Sequence, residues 1–252
     1  MIAVEQDIQK QIASASSRLD LWSQFINLTQ VKCVAEIGVY RGKFAAHLLQ
    51  ECASVEKYYM IDPWRHLDDW NKPLNKNNDV FEQILSEVEA KTNFAAEKRI
   101  ILRGKTTEVI DKMPDDALDF CYIDGDHTLK GITIDLIRLY SKVRVGGWIG
   151  GDDFNYSIWG RHGASFEPTL VFPFAIYFAE AVGASIYALP YSQFLIEKKR
   201  INQFSFTDLT GVYKEVNLKN QVLPSQMLKL RMTKIYPSIP KFFTRKNNWI
   251  SQ

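Results

Sequence analysis

Two short acidic stretches contain the residues of this sequence best suited to chemistry. The first, YIDGDHTLKGITIDL, includes Asp124, Asp126 and His127 where an apolar run ends. The second, VRVGGWIGGDDF, also follows an apolar run and places Asp152 beside Asp153. Carboxylates and an imidazole at such positions can hold a hard cation or accept a proton. Either chemistry requires a fold that brings the two stretches together.

The elements that would position these residues alternate between apolar runs and amphipathic segments. The sequence predicts strands at 31–37, 57–62, 99–103, 117–123 and 145–151, and helices at 42–51, 79–92, 106–112 and 128–141. This repeated β-α order implies an α/β fold, with a mainly parallel sheet and helices on both faces. Ligands of such sheets bind beyond the carboxyl ends of the strands, where both acidic stretches lie.

Further segments flank this alternating region. A helix at 169–181 and strands at 184–189 and 193–198 predict a hairpin that closes the sheet. Apolar residues at helix spacing between positions 4 and 29 predict an N-terminal helical cap with a break around the serines at 14, 16 and 17. We therefore divide the chain into a cap at 1–30, a main domain at 31–200 and an extension at 201–252.

The extension is basic, whereas the chain as a whole is nearly neutral. After Glu215 there are seven basic residues and no acidic one, which is typical of a solvated tail or of a surface for an anionic partner. The 31 Lys and Arg residues and 29 Asp and Glu residues give a net charge of +2, so the overall charge does not indicate a nucleic-acid partner.

The cysteine content and the lengths of the apolar runs indicate the cellular compartment. The three cysteines have no metal-binding spacing, and their odd number favours a reducing compartment. No run reaches the roughly 18 apolar residues of a membrane span. We therefore predict a cytoplasmic protein without a membrane span, and leave open whether it forms a homo-oligomer.

The first predicted turn, in VKCVAEIGVYRGKFAAHLL, indicates the type of cofactor. A dinucleotide fingerprint would need a glycine where Tyr40 stands, so that the backbone could approach the pyrophosphate. Glu36 at the end of the strand would also repel a phosphate. The turn better suits a ligand that lacks phosphate and carries positive charge, such as S-adenosylmethionine.

The stretch EIGVYRG resembles motif I of the class I methyltransferases. The resemblance implies their Rossmann-like fold, with a seven-stranded, mostly parallel sheet and an antiparallel final strand. It also implies S-adenosylmethionine as the cofactor, with Asp62 of YYMIDPW accepting hydrogen bonds from both ribose hydroxyls. The cofactor-binding residues expected on this basis are Glu36, Gly38, Gly42, Asp62, Gly104 and Thr106. Gly104 and Thr106 close the third predicted strand, where the adenine would lie.

In the strand order of this family, the two acidic stretches end neighbouring strands about 4.8 Å apart. Asp124, Asp152 and Asp153 would then repel one another unless a cation lay among them, and oxygen ligands suit Mg²⁺, Mn²⁺ or Ca²⁺. The two stretches resemble the metal-dependent O-methyltransferases, especially the branch that includes macrocin O-methyltransferase. The resemblance implies that these three aspartates bind the metal and that Asp126 is the general base. His127 is the alternative base, because an imidazole can accept a proton near neutral pH.

Several interpretations stay open at this stage. Asp126 could instead be the N-cap of helix 128–141, and Asp152-Asp153 a solvated turn. The fold would also suit a metal-independent methyltransferase, a nucleotide-dependent oxidoreductase or a non-catalytic binding domain. Loops at 63–79 and 155–168 are candidates for binding the acceptor, which we expect to be a hydroxyl of a small molecule or a saccharide. Asp135, inside the helix, is interpreted as structural.

Overall fold

The computed structural model describes residues 9–12, 14–70, 72–158, 169–200 and 203–213. Contacts group Met1–Glu215 into one compact unit and Val216–Gln252 into a second, and the second unit lies outside the described residues. The basic residues after Glu215 and most of the loop at 155–168 therefore lie outside them too. Within the described ranges, every helix is too short or too polar to cross a bilayer.

The elements follow one another in the alternating order that the sequence predicts. The strands are β1 (Cys33–Ile37), β2 (Lys57–Asp62), β3 (Arg99–Arg103), β4 (Leu118–Ile123), β5 (Val143–Gly151), β6 (Ser185–Leu189), β7 (Gln193–Glu197) and β8 (Ser205–Asp208). After a helical segment at 9–12, the α-helices are α1 (Arg18–Thr29), α2 (Lys43–Glu51), α3 (Asn78–Lys91), α4 (Thr106–Val109), α5 (Leu129–Tyr140) and α6 (Val171–Ala181).

The strands form a single sheet in the order β3-β2-β1-β4-β5-β7-β6-β8. Strands β1 to β5 run parallel, and β7 is antiparallel to both β5 and β6, so the predicted closing hairpin is confirmed. The prediction of seven strands is wrong, because β8 adds an eighth strand parallel to β6. This strand has only four residues and no apolar face of its own, so its sequence pattern was too weak to identify it.

One predicted helix is shorter than expected. The segment predicted as a helix at 106–112 forms α4, followed by a 3₁₀ turn over Ile110–Lys112. Pro114 explains why the whole helical segment ends at Lys112, because a proline disfavours helical geometry at the residue before it, here Met113.

Helix α1 belongs to the hydrophobic core of the domain. Trp22 is fully buried against the rings of Phe120 and Tyr122 on β4, with ring centroids 5.1 and 5.4 Å away. A Cβ at Gly150 of β5 would overlap the Trp22 ring, so this glycine allows the close approach of helix and sheet. This packing fixes the start of α1, including Arg18, beside the carboxyl ends of β4 and β5.

Candidate active site

The carboxyl ends of five parallel strands form the edge of the sheet that carries the predicted site. The Asp124 N–H donates to the Ile37 carbonyl oxygen at 2.8 Å, and the Gly38 N–H donates to the Ile61 carbonyl oxygen at 2.9 Å. The Asp152 N–H in turn donates to the carbonyl oxygen of Ile123 at 3.0 Å. These backbone hydrogen bonds continue the strand pairing and bring both acidic stretches to the same edge.

A cavity of about 1130 Å³ opens at this edge. It is lined by the ends of β1 to β4, the segment after β2 and the start of α5. The predicted site residues that line it are Gly38, Asp62, Gly104, Thr106, Asp124, Asp126, His127 and Asp153. The predicted residues Glu36, Gly42 and Asp152 are not among its lining residues.

Asp62 organises the loops at the β1 and β2 end of the cavity. Its carboxylate accepts hydrogen bonds from the backbone N–H of Tyr40 at 2.9 Å and from that of Trp64 at 2.8 Å. Burial raises the pKa of Asp62, and these two hydrogen bonds oppose that shift. Each carboxylate oxygen can accept a second hydrogen bond, so Asp62 retains capacity for a ligand.

Glu36 and Gly42 contribute to the folded framework of this end. Glu36 is buried and accepts a hydrogen bond from the Tyr58 hydroxyl at 2.7 Å, while burial raises its pKa to about 8. Gly42 is the N-cap of α2 with a φ of 66°, and it faces the side chain of Val88. Neither residue presents a side chain to the cavity in this arrangement.

Gly104 and Thr106 lie at the end of β3, where the adenine was expected. The Gly104 N–H donates to the backbone carbonyl of Asp62 at 2.9 Å. The Thr106 hydroxyl donates to Asp135 at 2.6 Å, and burial raises the pKa of this aspartate to about 7. Asp135, interpreted from the sequence as structural, also lines the cavity.

At the other end, Asp124 and Asp152 share a single cationic group. Asp124 Oδ2 lies 3.0 Å from Nη1 of Arg18, and Asp152 Oδ2 contacts the same nitrogen. Burial, followed by repulsion from Asp152, raises the pKa of Asp124 to about 7. Two carboxylates of neighbouring strands therefore converge on one point, as predicted, but Arg18 of α1 is the cation there.

Gln193 fixes the orientation of Asp152. Its side-chain amide donates to Asp152 Oδ1 at 2.6 Å, and its oxygen accepts from Trp22 Nε1 and from the Tyr122 hydroxyl, each at 2.8 Å. The backbone N–H of Asp153 also donates to Asp152 Oδ1, at 2.8 Å. Gln193 is completely buried, so the orientation of this carboxylate is coupled to the packing of α1.

The third carboxylate of the predicted metal site points elsewhere. Asp153 Oδ2 lies 3.2 Å from Nδ1 of His127, and the Asp153 backbone has a φ of 58°. Within the described residues, no three His, Cys, Asp or Glu side chains are grouped so that they could hold a metal ion. In this arrangement Asp153 therefore lies with His127, apart from the pair of carboxylates that meets at Arg18, and binding of Mg²⁺ by the three aspartates stays a prediction.

Asp126 is held by the start of α5. Its oxygens accept hydrogen bonds from the Thr128 hydroxyl at 2.9 Å and from the Thr128 N–H at 3.2 Å. Thr128 is itself the N-cap, since its side chain accepts from the Gly131 N–H. The alternative interpretation of Asp126 as the N-cap is thus wrong, and its carboxylate lies at the cavity wall beside His127.

The sequence did not identify Arg18, Gln193 or Asp135 as site residues. Arg18 did carry a signal, because a basic residue in the first turn of a helix opposes the helix dipole and needs a compensating anion. Gln193 is a single polar residue at the start of an apolar strand, and Asp135 lies on a buried helix face. Buried polar groups require partners, but their partners are distant in sequence and could not be named.

Comparison with known families matches residues 35–154 to a family model described as a methyltransferase domain. The matched segment runs from β1 to the residues just after β5, and so contains both ends of the cavity. Residues 35–154 therefore match a methyltransferase domain. Comparison with curated proteins found no match.

Solved structures with similar folds include several O-methyltransferases. A protein described as a caffeoyl-CoA O-methyltransferase from Staphylococcus aureus superposes with a TM-score of 0.55 at 14% identity, over 77% of this chain and 90% of that one. The O-methyltransferase TomG from Streptomyces achromogenes, solved in complex with SAM, gives 0.52 at 13% identity, over 78% and 89%. The expected Rossmann-like methyltransferase fold is therefore confirmed for this domain.

Proposed function

We propose that this methyltransferase uses S-adenosylmethionine to methylate a hydroxyl group of a small molecule or a saccharide. The observation that carries the proposal is that one cavity contains the Gly38 and Asp62 end and the Asp126 and His127 end together. One end has the features expected for the methyl donor. The other has groups that can accept a proton from a hydroxyl.

The donor would lie between the ends of β1, β2 and β3. Asp62 has acceptor capacity for ribose hydroxyls, and the turn at Gly38 lines the cavity. Thr106 and Asp135 lie at the β3 side, where the adenine was expected. S-adenosylmethionine appears as the bound ligand in the TomG structure, which is consistent with this choice of cofactor.

Methyl transfer to a hydroxyl also requires a proton acceptor, and Asp126 is our first choice. Its carboxylate lines the cavity and is oriented by Thr128, whose hydrogen bonds leave acceptor capacity on both oxygens. His127 lines the same wall and is the alternative base. Replacing Asp126 with Asn should lower turnover at least about 100-fold, as is usual for loss of a general base.

The proposal includes a divalent ion, for which Asp124, Asp152 and Asp153 would be the ligands. Their oxygens are the type that Mg²⁺ prefers, and Asp124 and Asp152 already converge on one cationic atom. A bound ion would lower the pKa of the acceptor hydroxyl. If turnover with Mg²⁺ equals turnover in excess EDTA, this part of the proposal fails and a metal-independent methyltransferase remains.

The acceptor would occupy the part of the cavity bordered by the segment after β2. Trp70 lines this region, and its buried Nε1–H has no hydrogen-bond acceptor among the described residues. A ligand oxygen could accept that hydrogen bond while the indole ring packs on a sugar or aromatic ring. We favour a saccharide or glycoconjugate because the double-aspartate stretch resembles the sugar-modifying branch.

Two measurements test the function. Calorimetry with S-adenosylhomocysteine should show binding that weakens when Asp62 is replaced by Ala, and absence of binding to the wild type would reject the cofactor. A mass-spectrometric screen with labelled S-adenosylmethionine should then show transfer of label to an acceptor hydroxyl. Transfer only to nitrogen or carbon would reject the O-methyltransferase assignment.

Location and domain division also belong to the proposal. A cytoplasmic location is supported by the three cysteines, which are all free thiols, and cell fractionation would test it.

The division at residues 30 and 200 would be tested by truncation. Because α1 is part of the core and β8 pairs with β6, we expect the main domain at 31–200 to fold stably only with both of these elements attached, whereas removal of 219–252 should leave methyl transfer intact.

A further inference from the structure

Arg18 occupies the position where the acidic stretches meet. Its Nη1 contacts Oδ2 of Asp152 and lies 3.0 Å from Oδ2 of Asp124. These are two of the three oxygen ligands proposed for a divalent ion. One site between neighbouring carboxylates cannot hold a guanidinium and a metal ion together.

We propose that Arg18 is an internal cation that competes with a divalent ion for Asp124 and Asp152 and leaves when the ion binds. This inference rests on the metal ligands of the proposed function. It assigns to the start of α1 a role that neither the acidic stretches nor the methyltransferase domain implies.

The surrounding contacts allow this exchange. About 33% of the Arg18 side chain is exposed, so the guanidinium has a route to solvent. Asp152, by contrast, would stay in place, because its Oδ1 accepts from Gln193 and from the Asp153 N–H on the side away from Arg18. The carboxylate is therefore preorganised for a replacement cation.

Charge also favours the exchange. Four carboxylates, of Asp124, Asp126, Asp152 and Asp153, lie along this edge, and Arg18 supplies one positive charge to them. A divalent ion supplies two. Arg18 is moreover at the first position of α1, where its charge opposes the helix dipole, so its release removes an unfavourable interaction.

The test measures Mn²⁺ binding by electron paramagnetic resonance of the free ion, on the full chain without acceptor. Arg18→Gln should bind Mn²⁺ at least tenfold more tightly than the wild type. Arg18→Lys retains the charge and should stay close to the wild type. Arg144→Gln is the matched control, because Arg144 pairs with Asp119 on the same two strands at their opposite ends, and its Mn²⁺ affinity should not change.

Thermal melting provides a second measurement. In EDTA, Arg18→Gln should melt below the wild type, since Asp124 and Asp152 have lost their cation. The same excess of free Mn²⁺ should raise the melting temperature of Arg18→Gln by more than it raises that of the wild type, because stabilisation by a ligand increases with the logarithm of its concentration divided by its Kd. Equal or weaker Mn²⁺ binding by Arg18→Gln would overturn the proposal, as would absence of Mn²⁺ binding by both proteins.

A measurement on the wild type covers the case in which Arg18→Gln does not fold. The side-chain ¹⁵N signals of Arg18, assigned by their loss in Arg18→Lys, should lose protection from solvent exchange when Mg²⁺ is added. Unchanged signals at Mg²⁺ saturation would overturn the proposal. Binding of S-adenosylhomocysteine, measured in parallel, reports on the methyltransferase function separately and is expected in every variant.

Discussion

The two ends of the cavity are built in different ways. At the β1 and β2 end, the decisive contacts are local and made by the backbone, since Asp62 accepts from the N–H groups of Tyr40 and Trp64. At the β4 and β5 end, side chains distant in sequence determine the geometry, with Arg18 and Gln193 both contacting Asp152.

This difference separates a rigid region from an adjustable one. Backbone hydrogen bonds and a glycine turn leave the first end little freedom. The second end depends on an ion pair whose arginine side chain is a third exposed to solvent. We therefore expect substitutions at the first end to act on folding and cofactor affinity, and substitutions at the second to act also on cation binding.

The largest expected effect is at Gly38, which belongs to both ends. A Cβ there would overlap the Asp124 carbonyl group and lie 2.7 Å from the Gly125 Cα, at a φ of 87°. Gly38→Ala should therefore lower the free energy of unfolding by about 4 kcal/mol or more, measured by urea denaturation. Gly211→Ala is the control, because Gly211 has a φ of 72° but open space, and should cost about 1 kcal/mol. Equal losses would show that the backbone at Gly38 can move aside.

The second prediction concerns Gln193, on which the β4 and β5 end depends. Gln193→Glu keeps the shape but places a carboxylate opposite Asp152 in a buried position. We expect the free energy of unfolding to fall by about 3 kcal/mol, because the charge is buried without a cationic partner of its own. Gln24→Glu is the matched control, since Gln24 makes the same type of hydrogen bond to Asp20 near the surface, and should cost under about 1 kcal/mol. Similar losses in both would mean that Asp152 reorients freely.

The third prediction concerns Asp62 at the β1 and β2 end. Asp62→Asn replaces one acceptor oxygen with an NH₂ group that faces a backbone N–H. The expected loss is about 2 kcal/mol of stability, from one unsatisfied buried donor, together with weaker binding of S-adenosylhomocysteine. Asp116→Asn, which removes an exposed ion pair with Lys198 outside the cavity lining, should change neither quantity measurably. A stable Asp62→Asn protein with unchanged affinity would contradict the local role of this carboxylate.

The same contrast explains how much the sequence could predict. Alternating apolar and amphipathic segments located the first seven strands and the edge of the sheet that carries the site, because periodicity reflects burial within each element. The turn at Gly38 and the acid at Asp62 could be identified because their partners lie close to them in the predicted framework. The strand β8, with four residues and a weak pattern, could not.

The arrangement of side chains at the β4 and β5 end could not be predicted from the sequence. The sequence did predict that Asp124 and Asp152 would meet around a cation. It could not show that the cation is a guanidinium from α1, because residue 18 precedes the first strand and nothing in its neighbourhood specifies a partner 106 or 134 positions away. A carboxylate pair predicts the sign of its counter-charge but not its source.

The smallest expected effect is a change in stability with pH that arises from Asp135, on the β3 side of the cavity. Asp135 is buried beside Thr106, and burial raises its pKa to about 7 from an ordinary value of 3.8. The folded protein therefore keeps a proton that the unfolded chain loses, so the stability due to the protonated carboxyl declines as pH rises from about 4 to about 7. Asp135→Asn is neutral at every pH. The free energy of unfolding of Asp135→Asn minus that of the wild type should rise by about 1–2 kcal/mol between pH 5.5 and pH 8. The reason is that one unit of pKa difference corresponds to about 1.4 kcal/mol.

Urea denaturation at these two pH values would measure the difference, with Asp115→Asn as the control. Asp115 is exposed and paired with Lys142, which lowers its pKa, so its protonation equilibrium is complete below this range and the control should show no comparable change. A constant difference between Asp135→Asn and the wild type would mean that Asp135 is already ionised at pH 5.5. Its hydrogen bond from Thr106 would then have to stabilise a buried carboxylate, and the β3 side of the cavity would carry a negative charge toward the cofactor.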